Sequence, residues 1–306
     1  MEIPEPLGKG DRIAQDMWIT NDSKTVKALI SGPGFKSTVG TLEFNALEQS
    51  RVVVYSKEQL PVDCTPEQFL VRKLYQVELL EMCFWLHDNA CVNDEIGFLY
   101  YADDGGFFVT SNYLSSRFST SHAEFKDISL SRDRLRDVRK LFRSAVTLPD
   151  TFKIERSTQL VKGTNRLNRC LFHIQAARAT TDLALKVTCY CSALEALFAS
   201  SQAELSHQLS ERVAVYLASD AVNRKETFSK MKKAYAIRSK ITHGDVVRAS
   251  HVEAVAEASQ FCDQILRTVV MRILESPEHA KVFESPSEEL DSYFLGLLLD
   301  DAPKQT

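Results

Sequence analysis

From residue 164 onward, apolar residues return every three or four positions almost without a break, a period that commits this half of the chain to a bundle of helices. Leu183, Val187, Tyr190, Leu194 and Leu197 alternate steps of four and three, the spacing of a helix packed among other helices. The pattern predicts helices over about 164–179, 181–200, 204–219, 224–242, 251–275 and 287–299. Ser201-Gln202-Ala203-Glu204 has the form of a capping box and is read as the start of the third of these. A bundle of this kind also offers surfaces on which two copies can pair.

The first 150 residues follow a different pattern. Short β-rich runs, Gly40 to Phe44, Arg51 to Ser56, Gly97 to Tyr101 and Gly106 to Thr110, are separated by turn signals such as Ser31-Gly32-Pro33-Gly34 and Asp103-Asp104-Gly105-Gly106. The last two runs read as a hairpin. Pro66 after Thr65 opens a helix to about Leu86, with an apolar stripe through Phe69, Leu70, Leu74, Val77, Leu80 and Phe84. Ser131 caps another from Arg132 to about Val146, and Leu148-Pro149-Asp150 breaks it. The expected class is therefore α+β, with a mixed α/β domain over 1–150 and an all-helical domain over 151–306, its core at about 164–275 and an acidic helix at its end.

With 44% hydrophobic and 25% charged residues, the chain has the makings of two ordinary cores. No apolar run approaches the roughly 18 residues of a membrane span, and residues 1–12 lack a hydrophobic signal region, so a cytosolic protein without membrane contact is expected. Seven cysteines, an odd number scattered over different elements, fit a reducing compartment. Cys170, His173, Cys189 and Cys191 invite a zinc reading, but Cys189 and Cys191 point about 200° apart on a helix. Thiols packed as small hydrophobes are the better account, and neither metal nor cofactor is expected. Gly8-Lys9-Gly10 lacks the phosphate-loop spacing, and there is no Gly-x-Ser-x-Gly elbow or His-Glu-x-x-His helix.

The net charge of −4 conceals an uneven distribution. Residues 131–178 hold 12 Lys/Arg against 4 Asp/Glu, residues 224–248 hold 8 against 2, and the chain from Glu275 onward holds 8 acidic residues against 2 basic ones. The basic segments suit a polyanion such as RNA, or simply a solvated face.

One basic residue stands out because it interrupts an apolar stripe. Phe228, Met231, Ala234, Tyr235, Ile237 and Ile241 mark the buried side of a helix, and steps of three and four from Phe228 lead to Arg238. A guanidinium so placed needs a carboxylate, a phosphate or a protein interface to satisfy its donors, as a structural ion pair or an active-site cation. His243 is followed by Gly244, the residue type that most easily closes a helix. Five residues apart, Arg238 and His243 point about 140° away from each other on a regular helix. A site using both must unwind the last turn or combine two chains.

The succession of Cys191 to Phe198 ending one helix, Arg212 on the next and Arg238 to His243 closing a third resembles the Apea-like branch of the HEPN superfamily. The better-known members of that superfamily are metal-independent ribonucleases. The likeness runs from about Arg166 to about Leu274. It implies that Arg238 and His243 form the Arg-x4-His catalytic motif and that Glu195 is the acidic residue often found beside it. Where the superfamily commonly has Asn after the Arg, this chain has Ser239, which is still polar and can hydrogen-bond. The likeness also implies a homodimer with facing motifs, an RNA substrate such as a tRNA, and a role in bacterial anti-phage defence by abortive infection. The N-terminal domain would then sense a phage or cellular trigger. Relatives without catalysis imply the alternative of an RNA-binding or dimeric interaction module.

The chemistry such a site requires is small. RNA carries its own nucleophile, the 2′-hydroxyl, so a histidine that moves a proton and a fixed guanidinium that stabilises added negative charge can suffice. On this reading His243 transfers the proton, Arg238 holds the phosphorane oxygens, and Ser239 bonds a phosphate or orients the histidine. Glu195 either orients Arg238 or His243 or forms a salt bridge to Arg212. Arg212 itself is divided between RNA contact and scaffold, and Lys240 between backbone phosphate and solvent.

Overall fold

The structure, a computed structural model, describes residues 1–94, 96–113, 117–146, 165–201, 203–218, 220–245 and 248–299. The chain divides into two compact units, Met1–Ser116 with Asp127–Ser144, and Arg117–Lys126 with Ala145–Thr306. The expected domain boundary near 150, with the break at Leu148-Pro149-Asp150, lies outside the described residues. What the sequence pattern did not announce is the excursion of Arg117–Lys126 into the second unit before the chain returns to the first.

In the first unit, strands β1 (Asp11–Ala14), β2 (Met17–Thr20) and β3 (Val53–Ser56) form an antiparallel sheet in that order, with Trp18 opposite Tyr55 and their rings stacked at 5.5 Å. Between β2 and β3 lie the short helices α1 (Ser23–Leu29), α2 (Phe35–Val39) and α3 (Thr41–Glu48). The run Gly40 to Phe44, expected as a strand, is the start of α3. Gly40 holds a φ of +95° between two helices, and the following turn brings the Phe44 ring to 6.5 Å from Phe35 in edge contact. Helix α4 (Pro66–Asp88) begins with a full capping box, in which the Gln68 N–H donates to Thr65 Oγ1 and the Thr65 N–H to Gln68 Oε1. The expected hairpin is present as β4 (Gly97–Asp103) and β5 (Gly106–Asn112).

Helix α5 (Arg132–Val146) is basic, and its arginines serve the unit they stand in. Arg132 binds Asp11 through Nε at 3.1 Å and Nη2 at 2.8 Å, Arg134 pairs with Asp88, and Arg139 and Arg143 donate to the carbonyls of Arg12 and Ile13. Four of the 12 basic residues of 131–178 are therefore tied to β1 and the end of α4.

The second unit is helical, with no strand among its described residues. It comprises α6 (Arg166–Ala179), α7 (Leu183–Phe198), α8 (Leu205–Leu217), α9 (Ala221–Thr242), α10 (Val252–Glu275), α11 (Pro277–Glu284) and α12 (Ser287–Leu299). Asn165, Asp182 and Asp220 cap α6, α7 and α9 by accepting the N–H of Asn168, Leu185 and Asn223. Helix α7 sits at the centre, packed on α6, α8, α9 and α10, with Val187, Tyr190, Cys191, Leu194 and Leu197 fully buried. Four of the five residues of the stripe read from the sequence are among these, while Leu183 at the start of α7 is only half-buried. Cys170 and Cys191 are fully buried thiols of this core.

Two readings of the bundle need correction. Ser201 does not cap α8, because Glu204 takes a left-handed conformation with φ +49° and the helix starts only at Leu205, without a side-chain cap. The eight-residue α11 was not foreseen. No helix among the described residues is long and apolar enough to cross a membrane.

Candidate functional site

Arg238 lies in regular helix, four residues before the end of α9 at Thr242. What stops the helix is a Schellman closure. The Gly244 N–H donates to the Ile241 carbonyl at 3.0 Å and the Asp245 N–H to Lys240 at 3.0 Å, with Gly244 at φ +86°. His243 is the C-cap, its N–H donating to Ser239 and Lys240 and its side chain exposed. Since the last turn stays wound, the roughly 140° between Arg238 and His243 persists in a single chain.

The guanidinium of Arg238 turns toward α7. Its Nη2 lies 3.4 Å from both carboxylate oxygens of Glu195, and its Cζ stands 5.4 Å over the ring of Tyr235 on its own helix. Burial raises the Glu195 carboxyl above its usual pKa, against the opposing pull of Arg238 and of a hydrogen bond with Tyr235. Both side chains remain partly open, 24% for Arg238 and 18% for Glu195, so solvent and ligands can reach the pair. The contact is long for a charge-assisted bond, and Arg238 Nε is buried without a hydrogen-bond acceptor. Nε is turned inward, so an added anion would meet the guanidinium only on the part left open to solvent.

The structure resolves the alternative between Glu195 and Arg212. Glu195 pairs with Arg238, while Arg212 is buried elsewhere, donating to the Phe198 carbonyl at 2.8 Å and to Asp291, with its Cζ 5.2 Å over the Phe294 ring. Of the two roles open to Arg212, RNA contact and scaffold, these contacts supply the second, since they join α7, α8 and α12. Arg212→Ala is expected to lower stability by about 2–3 kcal/mol, because it strips a partner from Asp291 and leaves the Phe198 carbonyl unpaired. Denaturant titration measures this, and unchanged RNA affinity in the folded variant separates scaffold from contact. Ser239 is half-buried and Lys240 exposed, both within the last turn of α9.

Beside the pair opens a cleft of about 690 Å³ lined by Glu204, Leu205, Ser206 and His207 at the start of α8 and by Lys232 and Tyr235 on α9. Tyr235 thus touches both cleft and ion pair. The sequence reading missed His207, Lys232 and Glu204. The only signal they left was the basic excess of 224–248, since α8 and α9 must pack before the three meet.

Among the described residues no grouping of His, Cys, Asp and Glu has a metal-holding arrangement. No protein-family profile, curated protein or solved structure matches the chain.

Proposed function

We propose that the chain is a metal-independent endoribonuclease of the HEPN type, working as a homodimer, with Arg238 and His243 as its catalytic residues. The observation that carries this reading is the state of Arg238, a partly open guanidinium held by Glu195 and Tyr235 with a buried Nε that lacks an acceptor. Such a group is fixed in place yet still able to bind phosphate oxygens. Five residues on, an exposed imidazole is presented at a helix end closed by backbone hydrogen bonds.

The intact last turn bears on the dimer. Because one chain keeps the two groups on different sides of α9, a second copy with its motif facing the first lets the Arg238 of one copy and the His243 of the other act on one phosphate. One His243 then takes the proton from the 2′-hydroxyl as that oxygen bonds to phosphorus. Arg238 of the facing copy stabilises the charge on the phosphorane, and the histidine, now protonated, gives that proton to the departing 5′-oxygen. The products are a 2′,3′-cyclic phosphate and a 5′-hydroxyl. Glu195 orients the guanidinium, Ser239 bonds a phosphate oxygen or orients the imidazole, and Lys240 supplies a backbone-phosphate contact.

The likeness to HEPN nucleases extends the proposal to anti-phage defence, with structured RNA such as tRNA as substrate and the N-terminal unit as sensor. The purified chain incubated with total RNA in EDTA is expected to cut it and to leave cyclic-phosphate ends. Cleavage abolished by EDTA, or 3′-hydroxyl ends, would overturn the mechanism. Sedimentation at micromolar concentration is expected to show a dimer, and an RNA-cleaving monomer would remove the composite site.

A further inference from the structure

We propose that the cleft between the start of α8 and the middle of α9 is a ribonucleotide-binding subsite adjoining Arg238. This deepens the ribonuclease reading and rests on it for the reason a ribonucleotide should arrive there. The cleft, about 690 Å³ and open to solvent over much of its boundary, gives one nucleotide a wall to lie against.

The lining argues for the ligand class. Lys232 makes no ion pair among the described residues, and its ammonium stands 5.9 Å over the Phe228 ring. His207 packs edge-on against the same ring at 5.5 Å, with Nε2 3.7 Å from Glu211 and its side chain half exposed. These two groups offer donors to a phosphate from α9 and α8 respectively. Glu204 brings a carboxylate to the same cleft, which a plain phosphate site would avoid. A carboxylate lining the same cleft as an ammonium and an imidazole suits a ligand that joins a phosphate to hydroxyl donors, which is what a ribose phosphate does. Ser206 adds a hydroxyl able to serve either part.

Position argues for the connection. Tyr235 lines the cleft and lies under the Arg238 guanidinium, so the cleft and the Arg238–Glu195 pair share a wall. Lys232 and Arg238 are separated by about 9 Å along α9 and by about 120° around it, at about 1.5 Å and 100° per residue, with Tyr235 midway between them. An RNA strand whose scissile phosphate rests on Arg238 would have to pass over Tyr235 to put a neighbouring nucleotide into the cleft.

The test is calorimetric titration of the full chain, at low salt, with AMP, GMP, CMP, UMP, their 2′-deoxy counterparts and inorganic phosphate. At least one ribonucleotide is expected to bind, about tenfold or more tighter than inorganic phosphate. Lys232→Glu should weaken it about tenfold or more, and Glu204→Gln should erase the preference for ribose over deoxyribose. A melting curve checks the variants. Should Lys232→Glu unfold, His207→Ala must show the weakening instead. Absence of ribonucleotide binding, binding unmoved by these variants, or equal affinity for inorganic phosphate would each overturn the subsite. None of these readouts needs cleavage, so a chain that binds UMP through Lys232 yet cuts no RNA keeps the subsite and loses only the nuclease reading. A chain that cuts RNA but binds no monophosphate does the reverse.

Discussion

His243→Ala is expected to cut RNA about a hundredfold more slowly or worse while melting like the wild type, if His243 moves the proton. The fold should tolerate the change because His243 serves the helix end through its backbone N–H, which alanine keeps, and its ring is exposed. Arg238→Ala should lose activity to the same degree, and Arg238→Lys should recover little, since an ammonium cannot span two phosphate oxygens as a planar fork does. Cleavage by the variants that stay folded separates this from a scaffold ion pair. A structural role predicts that Arg238→Ala and Glu195→Ala both lower the melting temperature or dissociate a dimer, with no special loss of cleavage in the variants that stay folded. Wild-type cleavage by a folded, dimeric His243→Ala would end the nuclease reading.

The same arginine has a pH signature. Burial raises the Glu195 carboxyl in the folded chain, so the fold binds that proton more tightly than the unfolded chain does. The carboxyl's cost is therefore absent below its unfolded pKa and grows as pH rises through the folded one. Removing Arg238 takes away the group that opposes this cost. The melting-temperature gap between wild type and Arg238→Ala should be widest near neutrality and should narrow in acid, and a gap constant with pH would dissociate Glu195 from the effect.

Periodicity made the long elements legible. Helix α4, the β4–β5 hairpin and most helices of the bundle carry enough turns or alternations for their period to stand above noise, and several begin at caps written in the sequence, such as Thr65 with Gln68. Strands β1 and β2, four residues each, are too short to show any period, although they pair with each other, and β2 gains its second partner only from the distant β3. The run after Gly40 misled because leucine and phenylalanine two apart also suit a strand. A positive φ at Gly40, which no residue count reveals, starts a helix there instead.

The candidate site was legible in part for a similar reason. The placing of Arg238 on a packed face follows from its spacing, and the helix end at His243 follows from Gly244. The carboxylate that meets Arg238 stands 43 residues away in sequence, and spacing alone left Glu195 as near to Arg212 as to Arg238. Tertiary packing decided it, by sending Arg212 to Asp291 and α9 across α7. The arginines of α5 make the same point, since a basic helical face says nothing about whether Asp11 waits beneath it.

Asp263→Ala is expected to cost about 3–5 kcal/mol, the largest loss of stability anticipated for a single substitution in the helical unit. Asp263 is 1% exposed. It accepts the Tyr190 hydroxyl through Oδ1 at 2.9 Å and Arg267 Nε through Oδ2 at 2.9 Å, joining α10 to the centre of α7. Close by in the same unit, buried Lys186 donates to the Ala177 carbonyl at 2.6 Å and to Ser119 Oγ at 3.0 Å, and Ser259 Oγ donates to the Ser121 carbonyl at 2.6 Å. These bonds fasten Arg117–Lys126 to the bundle through polar groups, so apolar periodicity could not foretell the excursion. Alanine at 263 leaves the Tyr190 hydroxyl buried without its acceptor and Arg267 without its counter-charge. Asp263→Asn retains an acceptor for Tyr190 and should lose less. Denaturant unfolding followed by helical signal measures both variants, and an Asp263→Ala chain within about 0.5 kcal/mol of wild type would show that this polar junction does not hold α7 in place. Because Glu195 lies further along α7, a folded Asp263→Asn chain should also cut RNA with a raised KM, through an Arg238 less firmly oriented, if the guanidinium binds substrate.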